Sequence, residues 1–104
     1  GGAFHSPVME TAKDELKKAI NSTSFSNPIC PIFQNVSAEA VNNPDQIKEN
    51  LIEQLTSPVK WTQTMLNMLN NKNLEIIEVG PGKVLQGLFK KIDRSIQTSS
   101  AVIL

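Results

Sequence analysis

The stretch that most constrains the fold of this chain is Leu74-Glu75-Ile76-Ile77-Glu78-Val79-Gly80-Pro81-Gly82, with apolar residues following at Val84, Leu85, Leu88, Phe89 and Ile92. The run 74–79 reads as a strand, Gly80-Pro81-Gly82 breaks it, and residues 84–92 resume a helical period. Strand, glycine turn and helix in that order make half of a βαβ unit, so the expected class is α/β with parallel strands. Gly82 is expected to allow the strand and helix to pack closely. A glycine turn before a helix can also cradle an anion, but the spacing of a P-loop is absent and Val84 stands where its Ser or Thr belongs.

The rest of the chain supplies amphipathic helices for such a layer. Val8, Met9, Ala12, Leu16, Ala19 and Ile20 recur at helical spacing and predict a helix from about Pro7 to Ile20. On its wet face Glu10 with Lys13 and Asp14 with Lys18 are spaced as short-range ion pairs. Asn21 to Pro28 reads as a loop, Ile32 to Val36 as a strand that Pro31 confines to an edge or a strand start, and Ser37 to Asn43 as a polar connection. Asn43-Pro44-Asp45-Gln46 combines an N-cap, a first-turn proline and a capping-box glutamine, and opens a helix that directs Ile47, Leu51, Ile52 and Leu55 to the core. Thr56-Ser57-Pro58 ends it and is expected to cap another helix, with Trp61, Met65, Met68 and Leu69 as a packing stripe. Gln97 to Ser100 reads as a polar link and Ala101-Val102-Ile103-Leu104 as a last strand.

Composition narrows the function. A chain of 104 residues holds at most one small domain, and ten basic against ten acidic side chains give zero formal net charge. That balance points away from nucleic acid. No apolar run is long enough to span a bilayer, so a soluble, cytoplasmic protein is expected. The single cysteine, Cys30, offers neither a disulfide nor a metal-ligand pair and is expected to lie buried in a strand.

His5, the only histidine, stands in Gly2-Ala3-Phe4-His5-Ser6-Pro7-Val8-Met9. Its proton exchanges near neutral pH. Ser6 and Pro7 read as N-cap and first helical residue, which places the imidazole at a loop-to-helix corner suited to a general base. A plain loop histidine fits the same residues.

Three motifs taken together, Gly2 to Met9, Ser57-Pro58-Val59-Lys60-Trp61-Thr62, and Glu78-Val79-Gly80-Pro81-Gly82-Lys83-Val84-Leu85, resemble the malonyl-CoA:acyl carrier protein transacylases of fatty-acid synthesis. The acyltransferase domains of polyketide synthases share the first motif, whereas Gly82-Lys83 in the last favours the fatty-acid enzyme. The resemblance covers nearly the whole chain. It implies that residues 1–104 are the C-terminal, histidine-bearing portion of an α/β-hydrolase-like acyltransferase subdomain. The serine elbow and the ferredoxin-like subdomain of that family then lie in a missing N-terminal part.

In that family a serine in a G-x-S-x-G elbow is acylated by malonyl-CoA, and the malonyl group passes to the phosphopantetheine thiol of acyl carrier protein. The resemblance makes His5 the general base and acid for both steps. It makes the backbone carbonyl of Gln54 the group that orients the histidine. Malonyl-CoA is then substrate, acyl carrier protein is partner, and no cofactor, metal or membrane is expected. A glutamine near the end of an amphipathic helix is also an ordinary surface residue. No serine of the chain has glycines two before and two after it. Arg94, the only arginine, does not match the family's carboxylate clamp, which belongs upstream. The 104-residue chain by itself is therefore expected to be inactive and to keep uncovered apolar faces. The alternative is a non-catalytic α/β module that binds an acidic carrier protein or another partner through Lys90, Lys91 and Arg94.

Overall fold

The computed structural model describes residues 7–70 and 73–102. The element order is α1 (Pro7–Asn21), β1 (Ile32–Phe33), β2 (Ala40–Val41), α2 (Pro44–Gln54), α3 (Trp61–Met68), β3 (Glu75–Glu78), α4 (Val84–Ile92) and β4 (Gln97–Ser100). The chain divides into two compact units, Gly1–Asn67 and Met68–Leu104.

In the first unit α1 runs as its apolar spacing predicts, one residue further than expected. Ser22 and Thr23 then turn their hydroxyls back on the carbonyl of Ala19 at 3.0 and 2.6 Å. The expected Glu10 to Lys13 pairing is replaced. Lys13 reaches across to the end of α2, because an acceptor pair there is held in place by tertiary structure and one turn of its own exposed helix offers no such constraint.

The strand expected over Ile32 to Val36 is only two residues long and pairs with Ala40–Val41, inside the expected polar connection. This pairing is antiparallel, not parallel. Pro28 and Pro31 remove two amide donors before β1, and Ile29 and Cys30 between them lie outside the ladder. Cys30 is accordingly exposed, not buried. Beyond β1 the chain turns through Gln34–Ala38, where the Ala38 amide donates to the Gln34 carbonyl at 3.0 Å. Ala38 takes the left-handed conformation with φ 59° while fully buried. Asn67 Nδ2 steadies that turn by donating to the Ala38 carbonyl at 2.8 Å.

Asn43 caps α2 as the sequence indicates, its Oδ1 accepting from the amides of Asp45 and Gln46. Gln46 departs from the capping-box role. Its side chain donates to Asn50 Oδ1, Asn50 Nδ2 donates to Gln34 Oε1 at 2.9 Å, and Gln34 Nε2 donates to the Ile47 carbonyl. Gln34 and Asn50 are both buried, so this satisfied polar chain fastens α2 to the turn after β1. Among the described residues of this unit Ile20, Ala38, Ile47, Ile52 and Met65 are the buried apolar ones. Leu51 and Leu55 are only half-buried.

Helix α3 starts at Trp61, three residues after the proline expected to open it. The Lys60 amide donates to the Asn35 carbonyl at 3.0 Å, which holds the segment after Pro58 out of the helix. The Lys60 carbonyl then accepts from both the amide and the hydroxyl of Thr64.

In the second unit β3 and β4 pair in parallel, with Glu75 opposite Gln97 and Glu78 opposite Ser100, and α4 lies between them in sequence. The βαβ expectation therefore holds. The last strand, however, is the stretch expected as a polar link. After α4 the Asp93 amide returns to the Phe89 carbonyl and the Ile96 amide to the Asp93 carbonyl, which brings the chain back to the sheet at Gln97. Ser100 is useful there because its hydroxyl accepts from Gln86 Nε2 at 2.8 Å. Ile103 and Leu104 lie outside the described residues.

Parallel sheets are normally covered on both faces. Here Glu78 on the inner face is buried, whereas Ile77 and Val79 on the other are 56% and 76% exposed. Leu16 on α1, Leu66 on α3 and Val84 on α4 are also exposed. The uncovered apolar surface expected of a partial subdomain is thus present among the described residues. No helix among them is long and apolar enough to cross a membrane.

Candidate active site

Two residues carry the catalytic expectation. His5 lies outside the described residues. Gln54 closes α2 and is half-buried. In a continuing α-helix its carbonyl accepts from the amide of residue 58. That residue is Pro58, which has no N–H. The helix end tightens on its neighbour instead, where the Thr56 amide donates to the Glu53 carbonyl at 3.2 Å. Gln54 is the last residue of α2, so its carbonyl belongs to the final turn, whose carbonyls have no intrahelical donor.

Around this helix end Lys13 Nζ donates to Thr56 Oγ1 at 3.1 Å and approaches Glu53 Oε1 at 3.5 Å. Both acceptors flank Gln54. Sequence reasoning placed Lys13 in a solvated charge run and missed this bridge, since its partners are forty and 43 residues away.

The Gly80 turn resolves differently from either expectation. Gly80 and Gly82 have φ of +119° and +82°, and a Cβ on either meets nothing within 4 Å. The need at Gly82 is therefore backbone conformation, not close packing. The residue before α4 is Lys83, which supplies no side-chain cap. Glu78 does so from the end of β3, its carboxylate accepting from the amides of Gln86 at 3.2 Å and Leu85 at 3.4 Å. The amides that a phosphate needs are already used by a buried carboxylate, and a second anion there meets like charge. A helix lacking Ser, Thr, Asp or Asn at its start was the available sequence signal for such a remote cap. Replacing Glu78 with Ala is expected to lower stability by about 1–3 kcal/mol, read from urea unfolding, since two helix amides lose their acceptor. Glu78→Gln keeps one acceptor and should lose less.

The basic cluster is divided by the structure. Lys90 Nζ donates to the Ile96 carbonyl at 2.9 Å and so secures the return to β4. Lys91 and Arg94 are exposed, and Arg94 sits in the turn beyond α4, not in the helix. Beside it Asp93 accepts from the hydroxyl and the amide of Ser95, and these bonds hold its carboxyl below the usual carboxylate range. An open groove of about 690 Å³ near this turn is lined by Glu75, Asp93, Ser95 and Gln97 among others. Among the described residues no cluster of His, Cys, Asp and Glu is arranged to hold a metal.

No family model matches the chain. The chain is 39% identical over 97 residues to the malonyl CoA-acyl carrier protein transacylase of Bacillus subtilis strain 168, an alignment that takes in 93% of this chain and 31% of that protein. In structure it is similar to an acyl-carrier-protein-S-malonyltransferase from Bartonella henselae, with a TM-score of 0.83 and 32% identity over 92% of this chain and 31% of the other. A second similar structure is a malonyl-transacylase in complex with a type II polyketide acyl-carrier protein, with a TM-score of 0.80, 30% identity and coverage of 93% and 31%. The chain thus spans about a third of the length of the relatives it matches.

Proposed function

From its relationship to one third of the malonyl CoA-acyl carrier protein transacylases, we propose that this chain is the C-terminal, histidine-bearing portion of such an enzyme. The observation that carries the reading is 39% identity sustained across 93% of the chain, and the aligned length includes the resembling motifs around Pro58 and Gly80. The proposed reaction moves a malonyl group from the thiol of CoA to a serine and then to the phosphopantetheine thiol of acyl carrier protein. It needs no resident cofactor, and a cytoplasmic setting suits both substrates.

The proton path assigned to this chain is short. A serine hydroxyl becomes an effective nucleophile only when a base takes its proton. Neutral His5 accepts that proton as the serine oxygen bonds to the thioester carbon, and returns it to the CoA sulfur as the carbon–sulfur bond breaks. In the second half the carrier's thiol gives its proton to His5, and the serine oxygen recovers it on leaving. The Gln54 carbonyl accepts the N–H on the other ring nitrogen, which keeps the lone pair of the working nitrogen toward the serine. That carbonyl is a backbone group. Replacement of the Gln54 side chain is therefore expected to be mild.

Intact-mass spectrometry of the full-length protein after brief exposure to malonyl-CoA tests the reading. A single malonyl adduct that transfers to acyl carrier protein is expected, and a folded protein that takes up none refutes it. The 104-residue chain alone should acquire no adduct, because none of its serines has glycines two before and two after it.

A further inference from the structure

The carboxyl ends of β3 and β4 lie side by side, because the strands run parallel and Glu78 stands opposite Ser100. In open α/β sheets this is the end at which ligands bind. The chain leaves β3 there through Val79-Gly80-Pro81-Gly82-Lys83, and both ends of that turn are held. The Ala101 amide donates to the Glu78 carbonyl at 2.9 Å, and the Glu78 carboxylate accepts from the amides of Leu85 and Gln86. The Lys83 carbonyl accepts from the Gly87 amide at 3.1 Å.

One side chain on this turn has no structural task. Lys83 is exposed, gives α4 no side-chain cap, and its ammonium has no hydrogen-bond or ion-pair partner among the described residues. Helix α4 contains no acidic residue to compete for it, and Glu78, the nearest carboxylate in sequence, is buried and bonded to two amides. Because Glu78 occupies those amides, what the turn can offer a phosphate is a cation on a flexible stem. Apolar side chains stand exposed on either side of it in sequence and after β4: Val79, Val84 and Val102 are 76%, 73% and 80% exposed. An uncommitted cation among exposed valines matches a ligand that carries an anion next to an apolar chain. The phosphopantetheine arm is built that way, with its phosphate beside a carbon that bears geminal methyl groups.

We propose that Lys83 binds the phosphate of the phosphopantetheine arm that malonyl-CoA and acyl carrier protein have in common, with the exposed valines against its methyl groups. The inference rests on the transfer reaction proposed above.

The test is steady-state malonyl transfer to acyl carrier protein by the full-length protein, as wild type, Lys83→Met and Lys83→Arg, with thermal unfolding of each. The donors are malonyl-CoA, malonyl-phosphopantetheine and malonyl-pantetheine, which lacks the phosphate. Lys83→Met is expected to lower kcat/KM about tenfold for both phosphate-bearing donors, the scale of one charge-assisted hydrogen bond. With malonyl-pantetheine it should stay within about twofold of wild type, since no interaction is removed. Lys83→Arg keeps the charge and should retain most of the rate. Wild-type kcat/KM of Lys83→Met on malonyl-phosphopantetheine overturns the inference. So does an equal loss on malonyl-pantetheine, which marks a structural role, and so does a loss confined to malonyl-CoA, which assigns the cation to the nucleotide phosphates. Failure of the wild type to transfer malonyl from any donor refutes the underlying reading instead, a result distinct from these.

Discussion

Replacement of His5 by Ala in the full-length protein is expected to slow formation of the malonyl adduct by about 10³-fold or more, the scale of losing a positioned general base. The loss should appear in both half-reactions, because the same imidazole takes and returns the proton in each. Rapid-quench mass spectrometry on malonyl-CoA follows the first step. Transfer of a preformed adduct to acyl carrier protein follows the second. A fall confined to one half-reaction contradicts a shared base.

The second large effect is on stability. Phe89 is 3% exposed and lies on the face of α4 between the buried Gln86 and the turn into β4. Phe89→Ala is expected to cost about 3–5 kcal/mol, the lost transfer energy of the ring together with the cavity it leaves. Among the described residues of the unit spanning Met68–Leu104, Ile96 is the one other apolar residue below one tenth exposure. The unit cannot absorb that loss by repacking. Hydrogen exchange at the amides of β3 and β4 should therefore rise toward the unfolded rate, and Phe89→Leu should recover much of the protection. Retained protection in Phe89→Ala contradicts the assignment of this side chain as the centre of the unit.

How much was legible depended on whether the signal was local. The helices α1, α2 and α4 were readable because amphipathic periods and the Asn43-Pro44 start are properties of neighbouring residues. The strand, glycine turn and helix of the second unit were readable for the same reason, and the parallel pairing followed from them. Strand ends were not. β4 consists of Gln97, Thr98, Ser99 and Ser100, a polar stretch in which only Thr98 favours a strand, and its place comes from pairing with β3 and from the Gln86 bond to Ser100. Cys30 was expected in a core because cysteine is commonly buried, yet it is exposed in a bend between two prolines, outside the strand.

The candidate site shows the same division. His5 and Gln54 were named from motif order, which is a property of sequence, and Pro58 explains in purely chemical terms why the Gln54 carbonyl has no partner at the fourth residue on. Glu78 as the cap of α4, Lys13 as the bridge to Thr56 and Asn50 as the anchor of α2 were not named, since each bond joins residues that only folding brings together. By itself the sequence determined where α1 and α2 start, which backbone amides are missing and which side chain can exchange a proton near neutral pH. Tertiary structure alone decided which charged and polar groups meet, because a hydrogen bond depends on distances of about 3 Å that local periodicity does not specify.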